Sequence, residues 1–363
     1  MFEYSGSIHM HSKFSDGTGS VKEIAGYASE SELDFIILTD HNTLKAKEKG
    51  FENWYKKTML IVGYEVNDIK NRNHYLVFGL DELVGSFTKL KDGDLGNKLT
   101  AVEYVKEIKK KGGYGFIAHP DEKRKHLEGH PAYPWTAWES EDFDGIEIWN
   151  HMSEWAEGLN DSNKVYRFIH PLKSIISPPE ETLKRWDKLN EVRKVVALGG
   201  IDAHAHKHTI MGIDFEIFAY KILFKSIRTH VFLEKELNPG NQKKFENDKE
   251  RIIEAIGKGR SFIVNHYNGD GKGFRFTAEY EGQNFISGDE IVVDSGKKKK
   301  VILRAMLPSE ATIKLIHNGK CVDEHKGMEC IWDGDDIGTY RIEAWKGNRG
   351  WIFSNHIRVT KTK

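Results

Sequence analysis

The chain has 363 residues, of which 39% are hydrophobic and 30% are charged. This composition supports a sizeable buried core, so disordered, collagen-like and low-complexity classes are excluded. Its 54 lysines and arginines nearly balance 55 aspartates and glutamates, so the chain offers no basic field for nucleic acid and no acidic tail. The length predicts two units, one large and one modest.

Targeting signals and cysteines are scarce. The N-terminal residues lack the basic and apolar stretches of a signal peptide, and no apolar run reaches the roughly 18 residues of a membrane span. We therefore expect a cytoplasmic protein that does not associate with membranes. Cys321 and Cys330 come late in the chain, which excludes cysteine nucleophiles and Cys-ligated zinc from the first 320 residues. The histidines show the opposite bias, since 14 of 17 precede residue 270.

Apolar runs alternate with helical segments over residues 1–269. The runs predict strands at residues 6–10, 35–40, 59–65, 75–80, 114–119, 145–149, 195–202 and 261–265. Capping-box patterns begin helices at Ser20 and Thr100, each with a glutamate three residues later. A further helix is predicted at residues 248–257, with Asp248 as its N-cap. Alternating strands and helices favour a parallel α/β sheet or barrel.

Beyond residue 270 the pattern changes to short alternating strands separated by turn residues. Strands are predicted at residues 274–280, 301–306, 312–318, 339–345 and 352–359, with no helix among them. This arrangement is typical of a small antiparallel β-sandwich of the immunoglobulin-like kind. The change near Gly269 therefore predicts two domains, residues 1–269 and residues 270–363.

Ionisable side chains follow most of the predicted N-terminal strands. The ionisable residues at these strand ends are His9, His11, Asp40, His41, Glu65, His119, His151, Asp202 and His204, and the polar amide Asn150 precedes His151. The C-terminal ends of barrel strands converge on one face, so we expect these side chains to meet there. Imidazoles and carboxylates without a thiolate suit Mn²⁺, Fe²⁺ or Zn²⁺. The pattern predicts a metal site.

Each of these residues alone has an ordinary structural explanation. A single histidine at a strand end is more often a capped or surface residue than a ligand, and Asp16 in Ser15-Asp16-Gly17 fits a simple turn. Six runs that end in such residues are different, because so many ionisable groups at one barrel mouth would repel one another unless metal ions compensated.

These motifs resemble those of the polymerase and histidinol phosphatase (PHP) family of metallo-phosphoesterases. The matching motifs, in chain order, are His9-x-His11, Ser15-Asp16-Gly17, Thr39-Asp40-His41, Gly63-Tyr64-Glu65, Ala118-His119-Pro120 and Asp202-Ala203-His204. The resemblance covers roughly residues 1–265. It implies a distorted (β/α)7 barrel that holds two to three divalent ions of manganese, iron or zinc.

The resemblance also implies a role for each ligand. The first metal would be held by His9, His11, Glu65 and Asp202. Glu65 would bridge to a second metal, which His74 and His119 would also hold. The third metal would be held by Asp16, His41 and His204.

The expected reaction is phosphate ester hydrolysis by a metal-bound water. Metals about 3.5–4 Å apart lower the pKa of a shared water and clamp the phosphoryl oxygens during in-line displacement. No protein nucleophile is evident, since the chain lacks a G-x-S-x-G elbow and a Walker P-loop. The substrate-binding candidates, chosen by position, are Lys123, Arg124, Asn150, His151 and His206. The basic loop at residues 123–125 also fits a solvated segment, and His206 fits a surface residue.

Three functions remain open from the sequence. The leading hypothesis is a phosphoesterase that acts on a small phosphorylated metabolite or nucleotide, and the alternative enzyme is an exonuclease on short DNA or RNA ends. The balanced charge argues against long nucleic acid as a partner. A non-catalytic metal-binding or interaction module is the third possibility, although the complete ligand set favours an active enzyme. The sequence does not indicate the oligomeric state.

Overall fold

The computed structural model describes residues 1–90, 93–125, 131–210, 213–294, 300–334 and 337–361. The helices in these ranges are α1 (Val21–Glu30), α2 (Lys45–Glu48), α3 (Ala101–Lys110), α4 (His151–Glu157), α5 (Lys164–Ile169), α6 (Glu180–Val192), α7 (Tyr220–Leu223) and α8 (Phe245–Gly257). None of these helices is long and apolar enough to cross a lipid bilayer.

The strands divide into two groups along the chain. The first group is β1 (Phe2–Ile8), β2 (Phe35–Leu38), β3 (Asn53–Tyr55), β4 (Thr58–Val62), β5 (Tyr64–Val66), β6 (Tyr75–Phe78), β7 (Phe87–Lys89), β8 (Leu95–Asn97), β9 (Tyr114–Ile117), β10 (Gly145–Asn150), β11 (Val196–Gly200), β12 (His206–Ile210), β13 (Ile213–Ile217), β14 (Ile227–Leu233) and β15 (Ser261–Asn265). The second is β16 (Arg275–Tyr280), β17 (Gln283–Ile286), β18 (Glu290–Val293), β19 (Ile302–His317), β20 (Lys320–Asp333), β21 (Gly338–Lys346), β22 (Arg349–Ser354) and β23 (Ile357–Lys361).

The local signals for helices are mostly confirmed. Ser20 and Thr100 form complete capping boxes with Glu23 and Glu103, as the sequence predicts. The N-cap predicted at Asp248 is wrong, because α8 begins earlier, at Phe245. The buried Asp248 carboxylate instead accepts a hydrogen bond from the Asn238 backbone at 2.7 Å and thereby fixes the preceding loop.

Each predicted N-terminal run contains a strand, but the pairing is mixed rather than parallel throughout. β1, β2 and β4 are parallel neighbours, as are β9, β10 and β11. β5 and β6 pair antiparallel because the residues 67–74 between them are too few for a crossover helix. β14 was missed by the sequence analysis, because polar residues at 228–230 interrupt its apolar pattern, and it pairs antiparallel with β1.

Two isolated β-bridges join the N-terminal sheets near the ends of their strands. Met10 pairs in parallel with Ala203, and His41 pairs in parallel with Glu65. The first bridge lies just beyond the ends of β1 and β11. The second joins the segment that follows β2 to β5. The strand ends that carry the candidate ligands are therefore brought together. The fold is mixed α/β, with helices and strands alternating around this point.

The C-terminal region contains only strands among its described residues from 275 onward. The two strands predicted at 301–306 and 312–318 are one long strand, β19, and residues 352–359 divide between β22 and β23. β17, β18 and β20 were not predicted. The pairs are antiparallel except for β18 with β23. β22 also pairs with β15, so the C-terminal strands continue the N-terminal sheet. The domain boundary at residues 269/270 stays a prediction.

A buried ionic network fastens α6 to the C-terminal strands. The Arg341 guanidinium donates to both oxygens of Asp187, at 2.7 and 2.8 Å, and to Glu343 at 2.7 Å. His356 Nε2 lies 2.8 Å from Asp187 Oδ1. Burial opposes ionisation of Asp187, yet Arg341 and His356 hold the pKa of its carboxyl well below the usual range. The two parts of the chain are thus joined by buried charges as well as by β-sheet pairing.

Candidate metal centre

Glu65 lies at the middle of the converging strand ends. Its side chain is buried, and its two oxygens face different groups of histidines. Oε2 lies 3.1 Å from His9 Nε2, 3.2 Å from His11 Nε2 and 3.4 Å from His41 Nδ1. Oε1 lies 2.8 Å from His74 Nδ1 and 3.4 Å from His119 Nε2. A carboxylate with each oxygen among separate imidazoles has the arrangement of a bridging ligand.

Two further carboxylates complete the cluster. Asp202 Oδ1 lies 3.3 Å from His9 Nε2 and 3.4 Å from His11 Nε2. Asp16 Oδ2 lies 3.2 Å from His204 Nε2 and 3.7 Å from His41 Nε2.

Four overlapping groups in this cluster have ligand atoms within 4.8 Å of one another, and they can hold metal ions. The groups are His11, Asp16, His41 and His204; His9, Glu65 and His119; His9, His11 and Asp202; and His41, Glu65 and His74. All nine ligand candidates predicted from the sequence are therefore brought together.

The imidazoles are arranged as metal ligands require. Both ring nitrogens of His11 and Nδ1 of His41 are buried without a hydrogen-bond partner among the described residues, although cluster carboxylates lie 3.2–3.7 Å away. His74 Nε2 is held by Asn71 Oδ1 at 3.2 Å, which leaves Nδ1 facing Glu65. A histidine fixed through one nitrogen presents the other to a metal in a defined tautomer. The donor set therefore fits divalent transition metals.

The carboxylates of the cluster are ionised. Burial opposes this, but the surrounding histidines hold the pKa values of Glu65, Asp202 and Asp16 well below their usual range. Despite burial, the same carboxylates raise the pKa of His11 to about 10, and with Glu122 they raise that of His119 to about 9. Two buried anions, Glu65 and Asp202, and the partly buried Asp16 lie this close together and need positive charge beside them. Divalent metal ions held by these residues would supply that charge in place of protons on the histidines.

Three of the candidate ligands have a backbone conformation that side chains rarely adopt. The φ angles are +67° at His9, +28° at His119 and +53° at Asp202. Non-glycine residues with positive φ are uncommon, and such strain clusters at functional sites. Each of the three residues directly follows or closely follows a strand, so the backbone turns there and directs the side chain into the cluster.

The N-terminal part of the chain matches a known family. Residues 7–157 match the family model of the PHP domain. This segment is a PHP domain. The match confirms the resemblance seen in the motifs, and it includes every candidate ligand except Asp202 and His204.

Solved structures that resemble the chain include three with low sequence identity. A two-domain protein containing a predicted PHP-like metal-dependent phosphoesterase from Bacteroides vulgatus is 14% identical, with 98% of this chain and 95% of that chain covered and a TM-score of 0.45. A candidate metal-dependent phosphoesterase from Bifidobacterium adolescentis is 17% identical, with coverages of 55% and 87% and a TM-score of 0.35. An amidohydrolase from Chromobacterium violaceum, with bound sulfate and no metal, is 14% identical, with coverages of 55% and 87% and a TM-score of 0.30. No curated protein matches the chain. These values are too low to transfer a substrate or a reaction.

The PHP domain contains a buried glutamate that the sequence analysis missed. Glu147 on β10 accepts hydrogen bonds from His9 Nδ1 and from the His119 backbone, each at 2.8 Å, and from Asn150 Nδ2 at 2.9 Å. It therefore fixes the tautomer and orientation of His9, whose Nε2 faces Glu65 and Asp202. A carboxylate inside the apolar run Ile146-Glu147-Ile148 was the available signal.

Replacing Glu147 with glutamine should weaken metal binding. The amide presents one NH₂ group where three donors now point at a carboxylate, so His9 would lose its fixed orientation. Loss of such an orienting partner lowers metal affinity about 10–100-fold, which a competition titration against a chelating dye measures. Glu157→Gln is the matched control, because no hydrogen bond or ion pair among the described residues joins that half-buried carboxylate on α4 to a ligand candidate. Wild-type affinity in Glu147→Gln would contradict the role given to Glu147.

The loop that carries Asp16 is fixed by hydrogen bonds to two side chains, Asp40 and Tyr220. Asp40 accepts from the Ser12 backbone at 2.6 Å, from Ser12 Oγ at 2.7 Å and from Ser15 Oγ at 2.8 Å. The sequence analysis placed Asp40 among the strand-end residues expected at the metal site, but it belongs to none of the four ligand groups and instead supports this loop. Tyr220 Oη donates to the His11 carbonyl at 2.7 Å and so ties α7 to the same segment.

The predicted substrate-binding residues separate into two groups. Arg124 and His206 line the cavity beside the ligand candidates. Lys123 instead forms an ion pair with Glu181 on α6 and is not in the cavity lining. Asn150 caps α4 and donates to Glu147, so it supports the site from behind. His151 is buried against Ser226, and burial lowers its pKa to about 3.

The cavity in front of the ligands has a volume of about 530 Å³. Its lining includes the aromatic ring of Tyr133, which stacks on His74 at a centroid distance of 4.8 Å. Arg124 is held by Glu122 through two hydrogen bonds of 2.9 and 2.6 Å. It is the only arginine or lysine in the described lining. The sequence analysis missed Tyr133 because the loop around it has no periodic pattern.

Proposed function

We propose that this protein is a metal-dependent phosphoesterase that hydrolyses a phosphate ester of a small metabolite or nucleotide. One observation carries the proposal: six histidines and three carboxylates converge on one cavity, with Glu65 between them. The PHP domain match supports the same reaction class. Cavities of roughly 300–1,000 Å³ suit small molecules, and the volume of about 530 Å³ lies in that range.

The metal assignment in this proposal is the one that the family resemblance implies. His9, His11, Glu65 and Asp202 would hold the first ion. Glu65, His74 and His119 would hold the second, and Asp16, His41 and His204 the third. The short distances within each set support this assignment, and the identity of the ions, manganese, iron or zinc, belongs to the proposal.

The chain's own residues set up the site for an anionic substrate. Divalent ions held there would lower the pKa of a water into the neutral range and offset charge on the phosphoryl oxygens. Three carboxylates leave one positive charge when two divalent ions are bound, and three when three are bound. Arg124 adds a guanidinium at the rim, where it can donate to a phosphoryl oxygen. The described lining contains no serine, threonine or cysteine, so no hydroxyl or thiol nucleophile lies beside the substrate there, and we expect hydrolysis without a covalent phosphoenzyme.

Metal analysis tests the proposal directly. Protein reconstituted with Mn²⁺, Fe²⁺ or Zn²⁺ should carry two or three divalent ions per chain, because the cluster offers that many ligand sets. A chelator should abolish phosphate release from a panel of phosphomonoesters, and added metal should restore it. Less than one equivalent of metal after reconstitution, or full activity in excess chelator, would overturn the proposal.

An exonuclease is the second enzymatic candidate, and the cavity distinguishes it. A strand of nucleic acid needs a run of cationic and aromatic contacts along its backbone, whereas the described lining has aromatic rings but only one cationic side chain, Arg124. We therefore place small esters ahead of short DNA or RNA ends, and we expect neither a membrane nor long nucleic acid as a partner. Removal of nucleotides from oligomers faster than hydrolysis of any small ester would reverse that order. A non-catalytic module is the remaining alternative, and metal binding without any turnover would favour it.

Several finer features remain part of the proposal. They are the seven-unit count of the barrel, the immunoglobulin-like kind of the C-terminal sandwich, the domain limits 1–269 and 270–363, and the cytoplasmic location. The all-β content of the described residues beyond 275 supports the second of these.

A further inference from the structure

One part of the cavity lining has no connection to metal binding. Met152, Trp155, Ala156, Phe168 and Ile217 line the same cavity as the ligand candidates, and we refer to these five residues as the apolar wall. They come from α4, α5 and β13, none of which supplies a candidate ligand. The cavity therefore combines a metal-binding part with an apolar part.

The apolar wall is held rigidly by aromatic packing. The Trp155 ring meets Phe168 edge-on at a centroid distance of 4.9 Å and Phe218 at 5.0 Å. Its indole Nε1 donates to the Arg167 carbonyl at 3.0 Å. Trp155 is buried, whereas Met152, Phe168 and Ile217 are only partly buried. The surface that a bound molecule meets is therefore supplied mainly by these three side chains.

Phe168 lies at the cavity because of how α5 is attached. The helix has no fully buried residue, and Val165 and Ile169 are 67% and 66% exposed. Arg167 anchors it by donating to the Glu154 carbonyl at 2.9 Å and to the Trp155 carbonyl at 2.8 and 3.1 Å. These carbonyls lie near the C-terminal end of α4, where a guanidinium binds favourably. Arg167 is thus a positioning residue for Phe168.

Apolar side chains contribute to ligand binding, but they provide no group that takes part in phosphate ester hydrolysis. Leaving apolar surface exposed in an open cavity costs about 25 cal/mol per Å². Ligand sites are lined mainly by apolar side chains, and a few polar groups fix the orientation of the ligand. In this cavity, metal ions held by the ligand candidates would bind the phosphoryl group together with Arg124. The apolar wall can then contact the rest of the substrate.

We propose that the alcohol part of the substrate carries an apolar, ring-sized group that packs against Met152, Phe168 and Ile217. This inference rests on the proposed phosphoesterase function and specifies its substrate class. Small polyol phosphates lack such a group and bind weakly, because their hydroxyl groups would lose water at the apolar wall without gaining hydrogen bonds.

Equilibrium binding of two phosphonates to the manganese-loaded protein tests the inference without turnover. Calorimetry should show that 3-phenylpropylphosphonate binds at least roughly tenfold more tightly than 3-hydroxypropylphosphonate, as expected for burial of one apolar ring. Phe168→Ala should remove most of this preference, and Phe168→Leu should retain more of it. Ile169→Ala is the matched control on the same helix, because its side chain points to solvent and is outside the cavity lining. It should behave as wild type.

The outcomes separate the inference from the proposed function. Equal binding of both phosphonates, binding of neither, or an equal loss of both in Phe168→Ala would overturn the apolar-wall proposal. Hydrolysis of the corresponding phosphate esters is measured in parallel. If the phenyl phosphonate binds selectively but neither ester is hydrolysed, the substrate preference stands and the phosphoesterase function fails. If both esters are hydrolysed with equal kcat/KM and both phosphonates bind equally, the function stands and the inference fails.

Discussion

Glu65→Ala should lose most of its bound metal and its phosphoesterase activity together. Glu65 is the one residue whose two oxygens face both the His9, His11 and His41 side and the His74 and His119 side of the cluster. Removing it takes a ligand from two proposed sites at once and leaves only the set around Asp16 intact. Metal content should fall from two or three ions per chain to at most one, as measured on the purified variant.

The effect of Glu65→Ala on catalysis should be equally large. Charge stabilisation by metal ions is worth several kcal/mol, so kcat should fall roughly a thousandfold or more. Arg124→Ala should instead raise KM, because it removes a substrate contact and leaves the metal ligands in place. Lys123→Ala should change neither parameter, since Lys123 pairs with Glu181 outside the cavity lining.

A matched control shows whether the loss is specific to Glu65. Glu52→Gln alters a glutamate of the same domain that accepts from the Val62 backbone and from Lys249, away from the ligand cluster. It should keep wild-type metal content. If Glu65→Ala retained full metal content and kcat, Glu65 would be an ordinary strand-end carboxylate, and the metal centre would lose its central residue.

Asp187→Asn should destabilise the whole protein without changing its metal affinity. The change leaves the Arg341 guanidinium buried with only Glu343 as an anionic partner. Removing one charged partner of a buried ion pair costs about 3–5 kcal/mol of stability. Chemical denaturation at pH 7 measures this cost as a lower free energy of unfolding. Asp161→Asn removes an exposed partner of Lys164 and should change stability by about 0.5 kcal/mol or less.

The Asp187 carboxylate should make the free energy of unfolding decrease at acidic pH. Its pKa is lower in the folded protein than the unfolded value of about 3.9. Its contribution is therefore complete above that unfolded value and is lost as the pH falls towards the folded pKa. Wild-type stability should drop more steeply than that of Asp187→Asn below about pH 4. The network would contribute little to stability in either of two cases. The two proteins could lose stability equally as the pH falls, or Asp187→Asn could lower the free energy of unfolding at pH 7 by less than about 1 kcal/mol.

The metal centre was predictable because its ligands follow local rules. Strand ends fix where a side chain lies in an α/β fold, so His9, Asp202 and the others could be placed at one face before any contact was known. Asp16 and His74 are the exceptions, since Asp16 lies in a turn and His74 precedes β6 rather than following a strand, and both joined the set only through the family resemblance. His74 is the more instructive of the two. It nevertheless lies against Glu65 at 2.8 Å.

Contacts between distant parts of the chain were not predictable. Lys123 looked like a cavity residue because it follows His119, but its partner Glu181 lies 58 residues further on and directs it elsewhere. Pairing of β15 with β22 likewise depends on residues far apart, so the change in pattern near Gly269 gave no sign that one sheet continues across it. The apolar wall comes from residues 152–217, where no sequence periodicity marked Trp155 or Phe168 as neighbours of a metal site.

Anomalous diffraction from crystals grown with Mn²⁺ or Zn²⁺ tests the central claim most directly. The structure predicts two or three anomalous peaks inside the cavity, with Glu65 Oε1 and Oε2 each within bonding distance of a different ion. A third peak, if present, should lie among Asp16, His41 and His204. Peaks only at surface histidines, with none within bonding distance of Glu65, would contradict the metal centre and the phosphoesterase function that depends on it.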